Sequence, residues 1–445
     1  MPSSKSHTVP SRNVDTRARL LHLADLHFDA PLKCKGEALR AELRSAAFTA
    51  FSVAVSDAIE HEVDAVLIAG DLFDGSRISV ETELHVRSEF ERLEDRAIPV
   101  YIVTGNHDPA VGHNGLRRIE WPENVRIIGA TNPVSIEVES RSSATSDQPA
   151  LVLVAAGHEH SAHSENLVSA FPRVDTSVPH VGLVHAMVSS PSSSGDSERH
   201  KRYAPCTVED LKSAGYCYWA LGHVHVPGNI AGTVANYAGC LQGRHHKEGG
   251  DRGGYIVTIG ADGTAEAVFR NYAPLVWVQV VLEGNLPDEI AELESQVAVA
   301  VEGLRRTHED RRLAVRIVLN GQSVLSRVLS DSDELEILSA KWVDELDLAA
   351  VELDAGGVFA NVDIGRLRSE PTVVAESIAL IEQMIQEVSD SESVRTPRIP
   401  TELLEGIVSD AAEMHSLRWR ELLQGLHLEV AERMVDLPNY KPDPR

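Results

Sequence analysis

The sequence predicts an α/β fold: a largely parallel sheet covered by helices, then a second sheet, a small α+β unit and C-terminal helices. Two observations predict it. Strand-length apolar stretches alternate with helix-length stretches over roughly the first hundred residues, which implies right-handed crossovers and parallel pairing. The apolar stretches also stop abruptly in Asp, Asn or His, and ligands gather at the C-terminal strand ends of such sheets.

In order, Leu20–Ala24 is a strand ending in Asp25-Leu26-His27, and residues 37–61 are helical, rich in Ala, Glu, Leu and Arg. Asp64–Ala69 is the next strand, running into Gly70-Asp71, followed by a charged amphipathic helix over 79–97. Pro99–Val103 ends in Gly105-Asn106-His107-Asp108. Shorter strands at 125–128, 134–138, 151–155, 181–185 and 217–221 suggest the second sheet, the last entering Gly222-His223-Val224-His225. Residues 139–148 and 189–202 are Ser-rich loops. Residues 235–254 are Gly-rich, and strands at 255–259 and 265–272 close the region.

Beyond Pro274 the polar strand ends cease. Strands at 277–282 and 314–319 with a helix at 287–306 form the α+β unit, over residues 274–368. Residues 369–445 carry the C-terminal helices: 371–388 with Ile378, Ile381 and Ile385 on one face, then amphipathic stretches from Leu403 and from Trp419. The expected domains are thus 19–273, 274–368 and 369–445, after a disordered Ser-rich lead over 1–18 that lacks the apolar core of a secretory signal.

A chain of 445 residues has room for these parts. No run of 18 apolar residues suggests a membrane span. Cys34, Cys206, Cys217 and Cys240 show no CxxC spacing and read as free thiols of a cytoplasmic protein. A formal charge of −26 argues against general adhesion to nucleic acid, though not against a local basic patch.

The chemistry lies in five strand-end motifs: Asp25-x-His27, Asp71, Asn106-His107, His185 and His223-x-His225. In extended chain, residues i and i+2 face the same side, so the two x-spaced pairs can each aim two ligands at one place. Asp, His and Asn without cysteine suit a borderline-to-hard cation, Mn²⁺ first, then Fe²⁺ or Zn²⁺. The seven ligands, Asp25, His27, Asp71, Asn106, His185, His223 and His225, exceed one four-coordinate site. They suit two divalent cations about 3.5–4 Å apart, bridged by Asp71, one carboxylate oxygen to each, and a nucleophilic water. His107, beside Asn106, is placed to act on the phosphate, stabilising the transition state and donating a proton to the leaving oxygen.

These motifs make residues 19–270 resemble the calcineurin-like metallophosphoesterases. The stretches Leu21–Pro31, Gly70–Asp74 and Tyr218–His225, with Tyr203–Cys206 and Gly239–Arg244, are similar to the SbcD branch of DNA repair nucleases, YhaO type. The resemblance implies a two-sheet sandwich flanked by helices, with a capping domain. It implies one metal on Asp25, His27, Asp71 and His225, another on Asp71, Asn106, His185 and His223, and His107 as the catalytic histidine. Asp74 stands where other branches carry a histidine, which leaves its role open. The implied partners are DNA and an SMC-like coiled-coil ATPase of SbcC or YhaN type, docked by the C-terminal helices. A homodimer is compatible with this.

The expected function is therefore a Mn²⁺-dependent DNA exo/endonuclease subunit. Its alternatives are a small-molecule phosphodiesterase or phosphatase on the same metals, and a scaffold that has lost the reaction. Arg244, Lys247 and Arg252, with Arg117-Arg118 and Arg199–Arg202, are the basic clusters available for substrate phosphates. His158, Glu159, His160 and His163 read as a loop rather than a third metal site, and His245-His246 as polar loop.

Overall fold

The computed structural model describes residues 16–390 apart from 33, 35, 76, 112–115, 117, 142–147, 175, 190–202, 309–310, 362–363 and 370–372. Of the lead expected over 1–18, residues 1–15 lie outside the described residues, as do Arg117, Arg199–Arg202 and the amphipathic stretches from Leu403 and Trp419, while residues 16–18 are corrected: they begin the first strand.

Thr16–Leu23 (β1), Glu37–Glu60 (α1), Ala65–Ala69 (β2), Val80–Glu94 (α2), Val100–Val103 (β3) and Val125–Ile128 (β4) open the chain. β1 to β4 pair parallel in sequence order. The second sheet draws on Val134–Val138 (β5), Leu151–Ala156 (β6) and His180–His185 (β7). A short parallel pair, Val188–Ser189 (β8) with Cys206–Thr207 (β9), leads into Val208–Ser213 (α3). Tyr218–Gly222 (β10), Gly228–Asn229 (β11) and Ala235–Tyr237 (β12) complete that sheet, in the order β11-β12-β10-β7-β6-β5. Gly253–Gly260 (β13) and Ala265–Asn271 (β14) return to the first sheet, antiparallel, giving β14-β13-β1-β2-β3-β4.

Alternation explains the layering. Along β1, β2 and β3, Leu21, Leu23, Val66, Ile68, Val100 and Ile102 face α1 and α2 with Phe51 and Phe90. The interleaved residues Leu20, Leu67, Tyr101 and Val103 face the second sheet, meeting Leu153, Val181, Leu183 and Tyr218. Strands buried on both faces read as unbroken apolar runs. Trp219 and Leu221 cover the outer face of the second sheet with Phe171 and Tyr216. The two-sheet sandwich expected from the resemblance is the observed fold. β12, inside the Gly-rich stretch, was not anticipated; three residues carry too little pattern.

The chain divides into two compact units. One holds residues up to Val278 with His308–Ala314; the other holds Gln279–Thr307 and residues from Val315 onward. A three-stranded sheet forms from Leu275–Asn285, Arg312–Gln322 and Ala350–Phe359, in that order. Helix Ile290–Thr307 buries Leu293, Val297 and Val301, one stripe at helical spacing. Helix Ser332–Glu345 and strand Ala350–Phe359 were not expected from the sequence. The helix begins at Asp331, whose side chain accepts from Asp333 N and Glu334 N. The strand contains Asp354, Gly356 and Gly357, residues that disfavour strands. Val373–Asp390 is helical.

Candidate metal centre

Each expected ligand lies at or just beyond the C-terminal end of its strand. β1 ends at Leu23, and Asp25 and His27 follow with φ of 50° and 47°. Asp71 after β2 has φ 52°, and His223 after β10 has φ 104°. The expectation that extended backbone aligns Asp25 with His27 is therefore corrected. Left-handed residues turn the chain there, a conformation costly for side chains with a Cβ and concentrated at functional sites. The turns are zipped together: Asp25 N donates to Gly70 O at 3.1 Å, His27 N to Asp71 O at 2.9 Å, and Phe28 N to Leu72 O at 3.0 Å. Gly70 has φ +88°, and a Cβ there would lie 2.5 Å from His185 Nδ1. That glycine lets β2 end against the histidine of β7.

The structure brings Asp25, His27, Asp71, Asn106, His185, His223 and His225 together. Asp71 Oδ2 lies 3.5 Å from both His27 Nε2 and His185 Nε2. Asp71 Oδ1 accepts His107 N–H at 2.9 Å. One oxygen thus faces both halves of the cluster, whereas the sequence suggested one oxygen for each half. His27 Nε2 lies 3.1 Å from His225 Nε2. Asn106 Oδ1 lies 2.9 Å from His185 Nε2 and 3.1 Å from His223 Nδ1.

Outward partners set the tautomers. His185 Nδ1 donates to Ala69 O at 2.9 Å, and His225 Nδ1 donates to Glu248 Oε1 at 2.7 Å. His27 Nδ1 donates to Asp74 Oδ1 at 3.3 Å. Their Nε2 atoms therefore present lone pairs inward, toward one another, Asn106 Oδ1 and Asp71 Oδ2. Buried acceptors converging without hydrogens between them are unstable alone and suited to cations. Three overlapping groups have ligand atoms mutually within 4.8 Å: Asp25, His27 and His225; Asp25, Asp71 and His185; His27, Asp71 and His107.

Burial lowers the pKa of His185 to about 4 and of His223 to about 3, and also lowers His27. These imidazoles are neutral at pH 7, as ligation requires. Burial pushes the Asp25 carboxyl up, opposed by His225. Burial also opposes the charge on Asp71, but the imidazoles of His185, His27 and His107 outweigh it and hold its pKa low. His107 behaves differently: its bond to Asp74 raises its pKa against a smaller effect of burial. It is also the exposed member, with a side chain 46% accessible. It sits over the cluster, its ring centroid 4.8 Å from that of His27.

Three carboxylates around the centre were missed or left open. Asp74 Oδ1 accepts from both His107 Nδ1 and His27 Nδ1, tying the exposed histidine to a buried one. Asp108 is fully buried and accepts from Gly105 N at 2.7 Å and Leu72 N at 2.8 Å, clamping two strand-end turns together. Its signal was the Asn-His-Asp run itself. Glu248 lies in the Gly-rich stretch, where nothing local marked it. It is buried, bonded to His225, and accepts from Arg244 N at 2.8 Å and Arg244 Nη2 at 2.7 Å.

The expected phosphate contacts separate. Arg244 is part-buried at the centre's edge, and Lys247 is exposed. Arg252 is corrected: it is 4% exposed, and its guanidinium donates to Glu248 O and Gly249 O at 3.1 and 2.6 Å. It braces the turn that carries Glu248. His158 is buried, with Nε2 donating to His185 O at 2.7 Å. Among the described residues, no metal-holding group includes His158, His160 or His163.

Residues 18–227 match the family model described as calcineurin-like phosphoesterase. The uncharacterized metallophosphoesterase YhaO of Bacillus subtilis is 28% identical over 388 residues, 82% of this chain and 90% of that protein. The DNA double-strand break repair protein Mre11 of Methanosarcina mazei is 35% identical over 95 residues, 21% of this chain and 15% of that protein. Among solved structures, a dimetal phosphatase from Danio rerio covers 57% of this chain and 99% of its own, at 12% identity and a TM-score of 0.32.

Proposed function

Because this chain carries a calcineurin-like metallophosphoesterase domain of the SbcD/YhaO type, we propose that it is a dinuclear, metal-dependent nuclease subunit that hydrolyses DNA phosphodiesters. The observation that carries the chemistry is the convergence of neutral imidazoles on Asp71 Oδ2, with Asn106 Oδ1 against His185 Nε2. That donor set fits two divalent cations, with Mn²⁺ the first choice on ligand type. Asp25, His27, Asp71 and His225 would hold one; Asp71, Asn106, His185 and His223 the other. Bound there, they supply Lewis acidity toward the phosphoryl oxygens and an activated water.

The protein's own residues do the rest. Glu248, Asp74 and Ala69 O fix the ligand imidazoles in the tautomer with Nε2 bare. His107, exposed and kept basic by Asp74, stands where it can donate a proton to the departing oxygen. Arg244, part-buried and paired with Glu248, would neutralise a non-bridging phosphate oxygen.

DNA as the substrate is supported by the segment shared with Mre11. The formal charge of −26 supports a division of labour, in which an SMC-like ATPase supplies most of the DNA affinity through the C-terminal helices. No helix among the described residues is long and apolar enough to cross a membrane.

The test compares Mn²⁺-dependent cleavage of single-stranded oligonucleotides with that of cyclic nucleotides and phosphomonoesters. Oligonucleotides should be preferred, and His107→Ala should slow their cleavage by about 10²-fold or more. A preference for monoesters or cyclic nucleotides would favour a small-molecule esterase. No diester hydrolysis at all would favour a scaffold.

A further inference from the structure

Three of the histidines proposed as ligands have an outward hydrogen bond that fixes the ring: His27 to Asp74, His185 to Ala69 O and His225 to Glu248. His223 is the exception. It turns Nδ1 rather than Nε2 inward, 3.1 Å from Asn106 Oδ1 and 3.3 Å from His185 Nε2. A bare Nδ1 leaves the proton on Nε2, and among the described residues no carboxylate or carbonyl accepts it. The main chain is held, because His223 N donates to Asp25 Oδ1 and Oδ2 at 3.1 and 3.0 Å. Those bonds leave the imidazole free to turn about its bond to Cβ.

What lies against that imidazole is Tyr203. The two ring centroids are 4.9 Å apart and the planes are tilted by 37°, within the spacing at which aromatic rings attract. Tyr203 is itself braced from two sides. Its carbonyl accepts from Met187 N at 3.1 Å, two residues beyond the ligand His185. The next residue, Ala204, is fully buried, has φ 46° and donates from N to His163 O at 2.7 Å. Cys206 N then donates to Met187 O at 2.9 Å, where β9 pairs with β8. A left-handed residue with a Cβ persists only where its surroundings enforce it.

We propose that Tyr203 is a positioning residue of the metal centre. Its ring stands in for the outward hydrogen bond that His223 lacks, and keeps His223 Nδ1 aimed at the cation assigned to Asp71, Asn106, His185 and His223. The face of the ring carries this role, not the hydroxyl. The His158–His163 loop gains a use from it, since His163 O anchors the residue that follows Tyr203. This inference rests on the two-cation reading above, but not on DNA being the substrate.

The experiment titrates metal-free wild type, Tyr203→Ala and Tyr203→Phe with Mn²⁺ by calorimetry, and records the electron paramagnetic resonance spectrum of each. Wild type should take up two ions and show a coupled pair. Tyr203→Ala should bind one ion at least about tenfold more weakly, the scale expected when the support of a ligand histidine is removed. The other ion should bind as in wild type, which also reports that the variant is folded, and its spectrum should be that of isolated Mn²⁺. Tyr203→Phe should match wild type in both measurements. An isotherm unchanged in Tyr203→Ala, both ions weakened alike, or Tyr203→Phe as weak as Tyr203→Ala would each overturn the role and leave the two-cation reading standing. A wild type that binds fewer than two ions would overturn that reading and this role with it.

Discussion

Glu248 and His225 are joined by a 2.7 Å hydrogen bond from the imidazole Nδ1 to a carboxylate that is only 5% exposed. The bond leaves His225 Nε2 aimed at the centre, and Arg252 in turn fastens the turn that presents Glu248. Carboxylates in this relation to ligand histidines set both ring orientation and basicity.

Glu248→Ala should therefore weaken metal binding by about 10–100-fold while the protein stays folded. Metal titration followed by activity checks this: excess Mn²⁺ should restore most of the hydrolysis. Unchanged metal affinity would mean that Glu248 serves Arg244 only.

His107→Ala should cut kcat for a DNA diester by about 10²–10⁴-fold, with the metal content unaltered. Asp74→Asn should show a smaller loss of kcat with a modest loss of metal, because Asp74 touches both His107 and the ligand His27. Equal metal loss in both variants would recast His107 as a ligand, a position its distance from His27 and Asp71 allows.

Gly105→Ala should damage the centre without replacing a ligand. A Cβ at that position would lie 2.2 Å from Asp71 Oδ1 and 2.8 Å from Asp71 N. Expected are a lower Tm and reduced metal occupancy; a fully loaded variant would show that the β3 turn yields more than its contacts suggest.

His22 on β1 is 0% exposed, and burial lowers its pKa to about 3. Folded protein keeps it neutral, whereas the unfolded chain binds a proton below about 6.5. Its contribution is thus complete above that pH and is lost as pH falls toward 3, with a slope of at most about 1.4 kcal/mol per unit. Urea unfolding at pH 7 and pH 5 should show a smaller drop for His22→Phe than for wild type.

Much of this was legible because parallel strands buried on both faces have to read as apolar runs, and their ends have to read as breaks. Asp25, Asp71, Asn106, His185 and His223 stand at those breaks, and the structure gathers them. Glu248 was not legible as a support, since a carboxylate that orients a histidine from a separate loop has no local pattern, whereas Asp108 was marked only by the Asn-His-Asp run. Arg252 misled because charge is visible in sequence, while its engagement with Glu248 O and Gly249 O is visible only in space. Pleat geometry suggested how Asp25 and His27 align, but left-handed turns do the aligning.

The most direct test counts cations. Isothermal titration of metal-free protein with Mn²⁺ should give two bound ions per chain. Asp71→Ala, which removes the oxygen 3.5 Å from both His27 and His185, should lower both the number and the affinity. A wild type that binds one ion or none, or an Asp71→Ala isotherm identical to wild type, would contradict a centre built around that carboxylate.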